Sequence, residues 1–422
     1  MKMYKHNSQL LKSKDPTLNH SFHKDILSLA NKSRHSSVME QLKKWVSVHK
    51  TFSLSVIMAS LFAVGTTNAY ASKSCFVKFG GTGNGTSASK PYGSLQQVEN
   101  NNSCKVIHVL PGTSPLDGGI TLKDGQKLFG SVDDNAPQQD LPTISNTTNA
   151  DILQAGPVIR LANNNSVKNL NLLALSIGIL GDNITGANLK NLAITKAASY
   201  PNSALVDPEL CDVTNAIYRG CYRDGIRELN SGIQLLADDL GRNRSFSYEL
   251  KNILIQDIPD EQRWLEGILI VAAGDNTKIN FEFDNVNVKD TSRGNRYYAY
   301  NKSTLNGKVV NSSAIGLNHD GLIAVTGFFK ENCPQCPVSD PTIILNITGY
   351  TATPEQNNYE QGIEIVSFEP NKGTHEIHIE NTSLNGFSAG FLVWNGFGYP
   401  KSAIYDLGCV NPNNSVIADQ NA

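Results

Sequence analysis

Arginine and aromatic side chains concentrate in a few segments of the chain, and their chemistry suits recognition of a saccharide. Aromatic rings offer flat apolar faces with a polar tip, and the arginine fork binds carboxylates in a bidentate way. The candidate ligand-binding residues are Tyr218, Tyr222, Arg223, Arg263, Trp264, Arg296 and Tyr297. Acidic residues lie in or beside the same segments, so neutral and anionic sugars are equally open. The competing interpretation is that these residues only pack long loops, by cation–π and acid pairing.

Two groups of acidic residues lie at predicted strand ends, where catalysis could use them. Asp238 and Asp239 end one strand, and Asn318-His319-Asp320 precedes another. Adjacent strand residues point to opposite faces, so Asp238 and Asp239 act together only if the backbone turns there. We therefore favour a solvated strand end and assign no catalytic residue. Three histidines lie in strand-like segments without a partner acid at catalytic spacing, which predicts ordinary surface or core residues: His108, His375 and His378.

All seven cysteines lie after residue 71. Nearest-neighbour pairing would join Cys75 with Cys104, Cys211 with Cys221, and Cys333 with Cys336, leaving the partner of Cys409 open. The spacing of Cys333 and Cys336 is that of a redox motif. Their Pro-rich segment does not begin a helix, so we predict a structural disulfide there instead of an oxidoreductase site. A zinc site would need a second ligand pair at similar spacing, so no metal and no cofactor are expected.

Two short strand patterns alternate along the chain and would position these residues. The first is apolar-x-Asn-apolar-x-apolar, around Asn169, Asn191, Asn252, Asn285 and Asn381, with a partial copy at Asn346. The second is Gly-apolar-x-apolar, beginning at Gly178, Gly232, Gly267, Gly362 and Gly390. Alternation of two short strands at this rhythm is typical of a solenoid.

The asparagine marks a change of phase within the first pattern. Side chains alternate faces along a strand, yet Val167 and Leu170, on either side of Asn169, have opposite parity. Asn tolerates the left-handed backbone region, so it can form a one-residue corner that keeps both flanking strands facing inward. We predict a stacked amide ladder at one corner, formed by Asn169, Asn191, Asn252, Asn285 and Asn381. The competing interpretation is a β-sandwich with Asn-rich loops between its strands. Such loops would not share a change of phase at the asparagine.

The spacing of the asparagines predicts coil lengths. Asn169 to Asn191 spans 22 residues, a bare coil, whereas Asn191 to Asn252 and Asn285 to Asn346 each span 61. The extra residues fall mainly between an Asn pattern and the next Gly pattern, at 196–230 and 290–316. Loops that leave one corner of successive coils project from one side of a solenoid, so we predict a binding side there.

Four motifs follow one another in the first part of the chain after residue 74. They are a Gly-rich lead at 80–85, Pro91-Tyr-Gly-Ser-Leu-Gln-Gln-Val98, Val106-Ile-His-Val-Leu-Pro-Gly-Thr113 and Gly119-Ile-Thr-Leu-Lys-Asp-Gly125. In this order they resemble the opening of exported right-handed parallel β-helix proteins of the pectin-lyase-like superfamily. The resemblance covers most of residues 75–400. It implies an all-β, right-handed parallel β-helix (a solenoid) with a short N-terminal capping helix and long loops on one side.

The resemblance is nearly silent on activity, because this fold carries lyases, hydrolases, adhesins and phage spikes. Pectin-degrading hydrolases of the superfamily carry four motifs on neighbouring coils. Only their Asp-Asp pair has a counterpart here, at Asp238 and Asp239.

The first 71 residues are predicted to be a leader and signal peptide. Residues 51–65 are apolar apart from Ser and Thr, follow several lysines, and precede the small-x-small site Ala69-Tyr70-Ala71. This run is shorter than the roughly 20 residues of a spanning helix, so we expect cleavage and no stable membrane insertion. Translation starts either at Met1 or at Met39. The predicted organisation is leader 1–71 with a mature start near Ser72, a single β-helix domain 72–400 and a C-terminal tail 401–422.

Loss of the leader would leave an acidic protein. Ten of the 36 basic residues and three of the 38 acidic residues lie in 1–71, so 26 basic residues remain against 35 acidic ones. This balance argues against a nucleic-acid partner, which requires Lys and Arg to neutralise phosphates. We predict a periplasmic, cell-surface or extracellular protein that binds a polysaccharide or cell-surface glycan without turnover. The alternative is a polysaccharide lyase or glycoside hydrolase of the same fold.

Overall fold

The computed structural model describes residues 73–130, 136–147, 156–197, 231–237, 244–257, 266–274, 276–327, 340–355, 361–367, 373–395, 402–406 and 416–418. All of them belong to one compact unit, Ser72–Ala422. Alternating apolar and polar residues form strands through most of these ranges. One short α-helix, α1 (Leu95–Glu99), and one 3-10 helix, Gln138–Asp140, complete the described elements.

The strands are β1 (Lys73–Val77), β2 (Cys104–Val109), β3 (Ile120–Thr121), β4 (Lys127–Gly130), β5 (Thr143–Asn146), β6 (Pro157–Leu161), β7 (Asn165–Ala174), β8 (Ile177–Asp182), β9 (Gly186–Lys196), β10 (Ser231–Ala237), β11 (Ser245–Gln256), β12 (Glu266–Ala272), β13 (Lys278–Lys289), β14 (Arg293–Ala299), β15 (Thr304–Val310), β16 (Ser313–Leu317), β17 (Leu322–Thr326), β18 (Thr342–Thr348), β19 (Thr351–Pro354), β20 (Gln361–Ser367), β21 (Thr374–Glu380), β22 (Ser383–Leu384), β23 (Ala389–Asn395), β24 (Ser402–Asp406) and β25 (Val416–Ala418).

The strands form two long parallel sheets. Sheet A has the hydrogen-bonded order β1-β2-β4-β7-β9-β11-β13-β15-β18-β21-β24, with β5, β16, β19 and β22 paired alongside. Sheet B, read from its N-terminal end, has the hydrogen-bonded order β3-β6-β8-β10-β12-β14-β17-β20-β23-β25. The chain passes back and forth between the sheets, and neighbouring coils pair in parallel. The predicted fold class, a right-handed parallel β-helix, is confirmed.

The apolar residues of both strand patterns meet in one core along the solenoid. In the coil that turns at Asn169, Val167, Leu170 and Leu172 are all fully buried. Ile179 of sheet B belongs to the same core. The change of phase at the asparagine therefore keeps both legs of a long sheet A strand packed inward.

The N-terminal coil is held by a helix cap and a disulfide. The Ser94 hydroxyl accepts a hydrogen bond from the Gln97 backbone N–H, and the Gln97 side chain accepts one from the Ser94 N–H. Leu95 of α1 is buried in the main core. The predicted disulfide between Cys75 of β1 and Cys104 of β2 is confirmed, with Cα atoms 5.5 Å apart.

Asparagines turn the sheet A strands through left-handed backbone. The φ angles are 59° at Asn169, 52° at Asn191, 52° at Asn252, 57° at Asn285 and 50° at Asn381. The Asn191 side-chain N–H donates to the Asn169 side-chain oxygen at 2.9 Å. The Asn285 side chain donates likewise to Asn252 at 3.0 Å. Amides on neighbouring coils thus bond along the solenoid axis.

Two later corners differ from the sequence expectation. The corner after Asn285 is Asn311, with φ of 49°, and the next is Gly349, with φ of 68°. Strand register places Asn285, Asn311 and Gly349 on successive coils. Asn346, predicted as a partial copy of the pattern, instead lies inside β18 with its side chain exposed. The 61-residue step from Asn285 is therefore more than one coil, and the prediction of a single long coil is wrong.

The corner at Asn311 does not show the sequence pattern of the other corners, because a serine follows the asparagine. Ser312 stands where the pattern has an apolar residue, yet it is buried. Its hydroxyl donates to the Val310 carbonyl at 2.8 Å and accepts from the Val286 N–H at 3.1 Å. Thr382 after Asn381 donates in the same way to the Glu380 carbonyl at 3.1 Å. Because both hydroxyls are satisfied, burial of these polar groups is tolerated.

Residues 290–316, predicted as a binding-side loop, contain β14, β15 and β16. Gly294 continues a column of glycines on sheet B, between Gly267 and Gly321 on the neighbouring strands. A side chain on Gly294 would collide with the Gly321 carbonyl oxygen, so only glycine fits this close approach. The charged and aromatic residues of β14 made this segment of the sequence resemble a loop.

Replacing Asn252 by Leu is expected to lower the free energy of unfolding by about 1 to 3 kcal/mol. Leucine tolerates positive φ poorly and removes the acceptor of the Asn285 amide. Urea denaturation of wild type and variant measures the loss. The control Asn252→Gly keeps the backbone conformation and removes only the amide, so its loss should be smaller. A Leu variant as stable as wild type would show that the corner does not depend on asparagine.

Candidate functional site

Two predicted ligand-binding residues, Arg296 and Tyr297, lie in strand β14 of sheet B and not in a loop. Tyr297 points into the main core, whereas Tyr298 belongs to a second apolar cluster. The other buried members of that cluster are Leu269, Val271, Ala273, Tyr300, Ile323, Val325 and Val366. Tyr297 is 0% exposed, so the prediction that it contacts an external ligand is corrected. Its burial also raises the pKa of its hydroxyl well above the usual value.

Four side chains form an ion-pair cluster at the start of the sheet B strands, which we call the carboxylate–arginine cluster: Glu266, Arg293, Arg296 and Asp320. Arg296 Nη1 lies 2.5 Å from Glu266 Oε1, and Arg293 Nη1 lies 3.7 Å from the same oxygen. Arg293 Nε lies 3.6 Å from Asp320 Oδ2. Glu266, Arg296 and Asp320 are buried. Arg296 is therefore a partner of Glu266, and its predicted place in a loop is corrected.

The carboxylate–arginine cluster is suited to holding strands together. Asp320 also accepts a hydrogen bond from the Gln361 backbone N–H at 3.1 Å, which links successive coils. Glu266 and Asp320 are each within ion-pair distance of an arginine of β14. The cluster therefore suits a structural role that joins neighbouring coils.

The outer face of sheet A carries an open depression of about 420 Å³, which we call the polar depression. It crosses β11, β13, β15 and β18, four strands that are neighbours in the sheet. Its lining residues are Ser247, Tyr248, Glu249, Asn280, Phe281, Glu282, Asn306, Gly307, Lys308 and Asn346. Register aligns Ser247, Asn280 and Asn306 in one row. Glu249, Glu282, Lys308 and Asn346 form the next row.

Side chains of the polar depression are paired across coils. Lys308 Nζ lies 2.8 Å from Glu282 Oε1, and Asn306 Nδ2 donates to Asn280 Oδ1 at 3.3 Å. Asn188 Nδ2, on the preceding strand, donates to Glu249 Oε2 at 2.6 Å. The side chains are thus held in place before any ligand arrives.

Sequence reasoning missed this surface, although a signal for it exists. Residues 245–250 and 278–283 alternate polar and apolar with a period of two. Such alternation predicts a strand with one solvated face. The signal gives no indication of binding by itself, because it contains none of the arginine and tryptophan residues that suggest recognition.

The three strand-borne histidines have different surroundings. His375 is 1% exposed, neither ring nitrogen has a hydrogen-bond partner, and burial lowers its pKa to about 4. His378 Nε2 lies 3.1 Å from Glu376 Oε1, an acid partner two residues away that the sequence analysis overlooked. His108 stacks on Phe76 with ring centroids 4.9 Å apart, and partial burial lowers its pKa.

The remaining predicted residues lie outside the described ranges, and their roles stay predictions: Tyr218, Tyr222, Arg223, Arg263, Trp264, Asp238, Asp239, Cys211, Cys221, Cys333, Cys336 and Cys409. Within the described ranges, no group of three His, Cys, Asp or Glu side chains could hold a metal ion. No helix in that part of the chain is long and apolar enough to cross a membrane.

No protein-family model and no curated protein matches the chain. Among solved structures, the chain is similar to the catalytic domain of a GH87 alpha-1,3-glucanase variant in complex with nigerose. The sequence identity is 12% and the TM-score is 0.34. The match covers 82% of this chain and 68% of the glucanase chain. A likeness of this size does not bear on activity.

Proposed function

We propose that this protein binds a polysaccharide or cell-surface glycan without turnover, with the polar depression of sheet A as its binding site. The supporting observation is an open cavity of about 420 Å³ lined by amide, carboxylate and ammonium groups from four neighbouring strands. Sugar hydroxyls both donate and accept hydrogen bonds, so they match a surface that offers both kinds of group.

The geometry of the polar depression suits a linear sugar chain. Neighbouring strands are about 4.8 Å apart, which is close to the length of a sugar unit. A chain lying along the solenoid axis would therefore meet Ser247, Asn280 and Asn306 in turn. Since the amides of Asn280 and Asn306 are already paired, little side-chain freedom is lost on binding.

Three observations support the other parts of the proposal. Glu266 and Asp320 are each within ion-pair distance of an arginine, which gives these buried carboxylates a structural role. The Cys75–Cys104 disulfide agrees with export, which we propose to follow cleavage of the leader 1–71. The β-helix fold and the order of the N-terminal motifs support membership of the pectin-lyase-like superfamily. A second candidate contact set comprises Tyr218, Tyr222, Arg223, Arg263 and Trp264.

The alternative proposal is a glycoside hydrolase. Glu249 and Glu282 stand side by side on neighbouring strands of the polar depression. Retaining glycosidases use two carboxyl groups about 5 Å apart, a distance close to one strand spacing. This proposal requires one of the two residues to act as an acid and the other as a nucleophile.

The test is a glycan-array screen of the protein without residues 1–71, with and without calcium, followed by affinity measurement on the best ligand. The double variant Asn280→Ala, Asn306→Ala is expected to weaken binding by about tenfold, or roughly 1.4 kcal/mol. Its melting temperature should hardly change because the two amides are exposed. The control, Ser245→Ala with Thr304→Ala, alters the neighbouring row on β11 and β15, outside the lining of the polar depression, and should bind normally.

Two results would count against the proposal. Equal binding by wild type and the Asn280/Asn306 variant would remove the polar depression as the site. Release of new reducing ends from the ligand by wild type, abolished in Glu282→Gln, would favour the hydrolase instead. In the first case, loss of binding in Trp264→Ala would assign the ligand to the second contact set instead.

A further inference from the structure

On strand β14, an asparagine occupies a core-facing position that is apolar on the neighbouring strands of sheet B. The residues at this position, in register from β8 to β23, are Ile179, Ile233, Ile268, Asn295, Leu322, Ile363 and Phe391. All of them are buried, and Asn295 is 0% exposed. A buried amide without hydrogen bonds costs free energy, so Asn295 requires a polar partner inside the solenoid.

Two side chains of β14 bring unpartnered polar atoms into the core. Among the residues that the structure describes, neither the nitrogen nor the oxygen of the Asn295 amide has a hydrogen-bond partner, and neither has the Tyr297 hydroxyl. Asn295 and Tyr297 are two residues apart on one strand, so they project from the same face. The Tyr297 ring packs against Phe281 and Phe283, with ring centroids 4.9 Å and 6.3 Å away. Aromatic packing thus holds the Tyr297 hydroxyl in the core together with the amide.

The hydroxyl of Tyr350 is a third polar group in the same part of the core. It donates a hydrogen bond to the Gly321 carbonyl oxygen at 2.9 Å, and the Asn295 backbone N–H donates to the same oxygen at 3.0 Å. Tyr350 is 0% exposed. Burial, and then repulsion from Tyr350, raise the pKa of Tyr297, which agrees with two neighbouring hydroxyls. The Tyr350 oxygen keeps a lone pair that can accept a further hydrogen bond.

Small side chains make room beside these polar groups. One core-facing row of sheet A consists, in register, of Leu172, Ile194, Ile255, Val288, Ala314, Ala352 and Leu384. A Cβ atom built on Gly294 would lie 2.6 Å from the Ala314 Cβ atom, and one built on Gly321 would lie 2.7 Å from that of Ala352. Gly294 directly precedes Asn295. The row therefore has its smallest side chains close to the unpartnered amide.

We propose that the core of the solenoid binds an ordered internal water molecule, held by the Asn295 amide and the hydroxyls of Tyr297 and Tyr350. An internal water makes about three hydrogen bonds to buried groups that would otherwise be unsatisfied. The Tyr297 hydroxyl and the Asn295 side-chain N–H donate to the water oxygen, and the water donates to the Tyr350 oxygen. The site lies within the core and requires no glycan, so it is independent of the proposed function.

A high-resolution crystal structure of the wild-type protein gives the first test. We expect a density peak within about 2.7–3.2 Å of the Asn295 side chain and of the Tyr297 hydroxyl, the ordinary length of a hydrogen bond.

Oxygen-17 relaxation dispersion of water gives the second test, because it counts water molecules that exchange slowly with the solvent. The double variant Asn295→Leu, Tyr297→Phe should lose the signal of about one such molecule, since an internal water needs polar partners. Leucine suits position 295 because Leu322 occupies the same position on the neighbouring strand. Phenylalanine keeps the ring of Tyr297 and removes only its hydroxyl.

Tyr248→Phe is the matched control. Tyr248 is a buried tyrosine of sheet A whose hydroxyl already donates to the Ile184 carbonyl oxygen at 3.3 Å. Its removal should therefore leave the slow-water signal at the wild-type level. Melting temperatures of both variants check that they fold.

Three outcomes would overturn the water site. The first is a wild-type crystal structure in which Asn295 bonds directly to a tyrosine hydroxyl with no density between them. The others are an unchanged slow-water signal in the double variant and an equal loss of signal in Tyr248→Phe. If the double variant fails to fold, the wild-type density alone decides.

Discussion

Replacing Arg296 by Met is expected to lower the free energy of unfolding by about 3 to 5 kcal/mol. The change leaves the fully buried Glu266 carboxylate without its 2.5 Å partner, and Arg293 is farther away, at 3.7 Å. Uncompensated charge in a buried site is among the most destabilising effects of a single substitution. Urea denaturation followed by far-UV circular dichroism measures the loss.

Lys308→Met is the matched control for Arg296→Met. It also removes a basic partner from a glutamate, because Lys308 Nζ lies 2.8 Å from Glu282, but both side chains are more than half exposed. Pairs of this kind contribute about 1 kcal/mol or less. Similar losses in the two variants would show that burial does not control the strength of the carboxylate–arginine cluster.

Acidification from pH 6.5 to pH 4 is expected to destabilise the protein through His375. In the unfolded chain its pKa is near the usual value of 6.5, whereas burial lowers the pKa to about 4 in the fold. Between these values the unfolded state binds the proton and the folded state does not, so stability falls as pH falls. At about 1.4 kcal/mol per pKa unit, the histidine accounts for a loss of about 3 kcal/mol.

His375→Leu isolates this contribution. Leucine suits the position because Ile343 occupies it on the neighbouring strand, and the two unpartnered ring nitrogens are removed. The difference in unfolding free energy between variant and wild type should grow as pH falls from 6.5 to 4. His378→Gln, on the half-exposed side of the same strand, is the control in which a histidine is replaced while His375 stays in place. A difference that stays constant with pH would mean that His375 titrates normally in the fold.

The fold class could be predicted because single residues meet its backbone requirements. Asn at a left-handed corner and Gly at a close carbonyl approach leave visible marks in the sequence. The corner at Asn311 was missed because Ser312 replaces an apolar residue, and its hydroxyl is satisfied by Val310 in the same coil and by Val286 in the preceding coil. The bond to Val286 depends on strand register, which the local sequence does not reveal.

The candidate site was harder to predict, for a related reason. Arg296 belongs in a strand because Glu266, 30 residues earlier, neutralises it in the neighbouring coil. The polar depression likewise depends on register among β11, β13, β15 and β18, whose connections differ in length. Composition identifies the side chains that could bind a ligand, but register decides which of them share a surface.

The coil from Asn169 to Asn191 is the bare unit of this architecture. It has 22 residues and pairs in register on both sides, with β5 and β6 before it and β10 and β11 after it. Duplicating it would lengthen the molecule by one step of about 4.8 Å. Coil number therefore sets the length of the two sheets in fixed steps, so the molecule can be lengthened without repacking the core of its other coils.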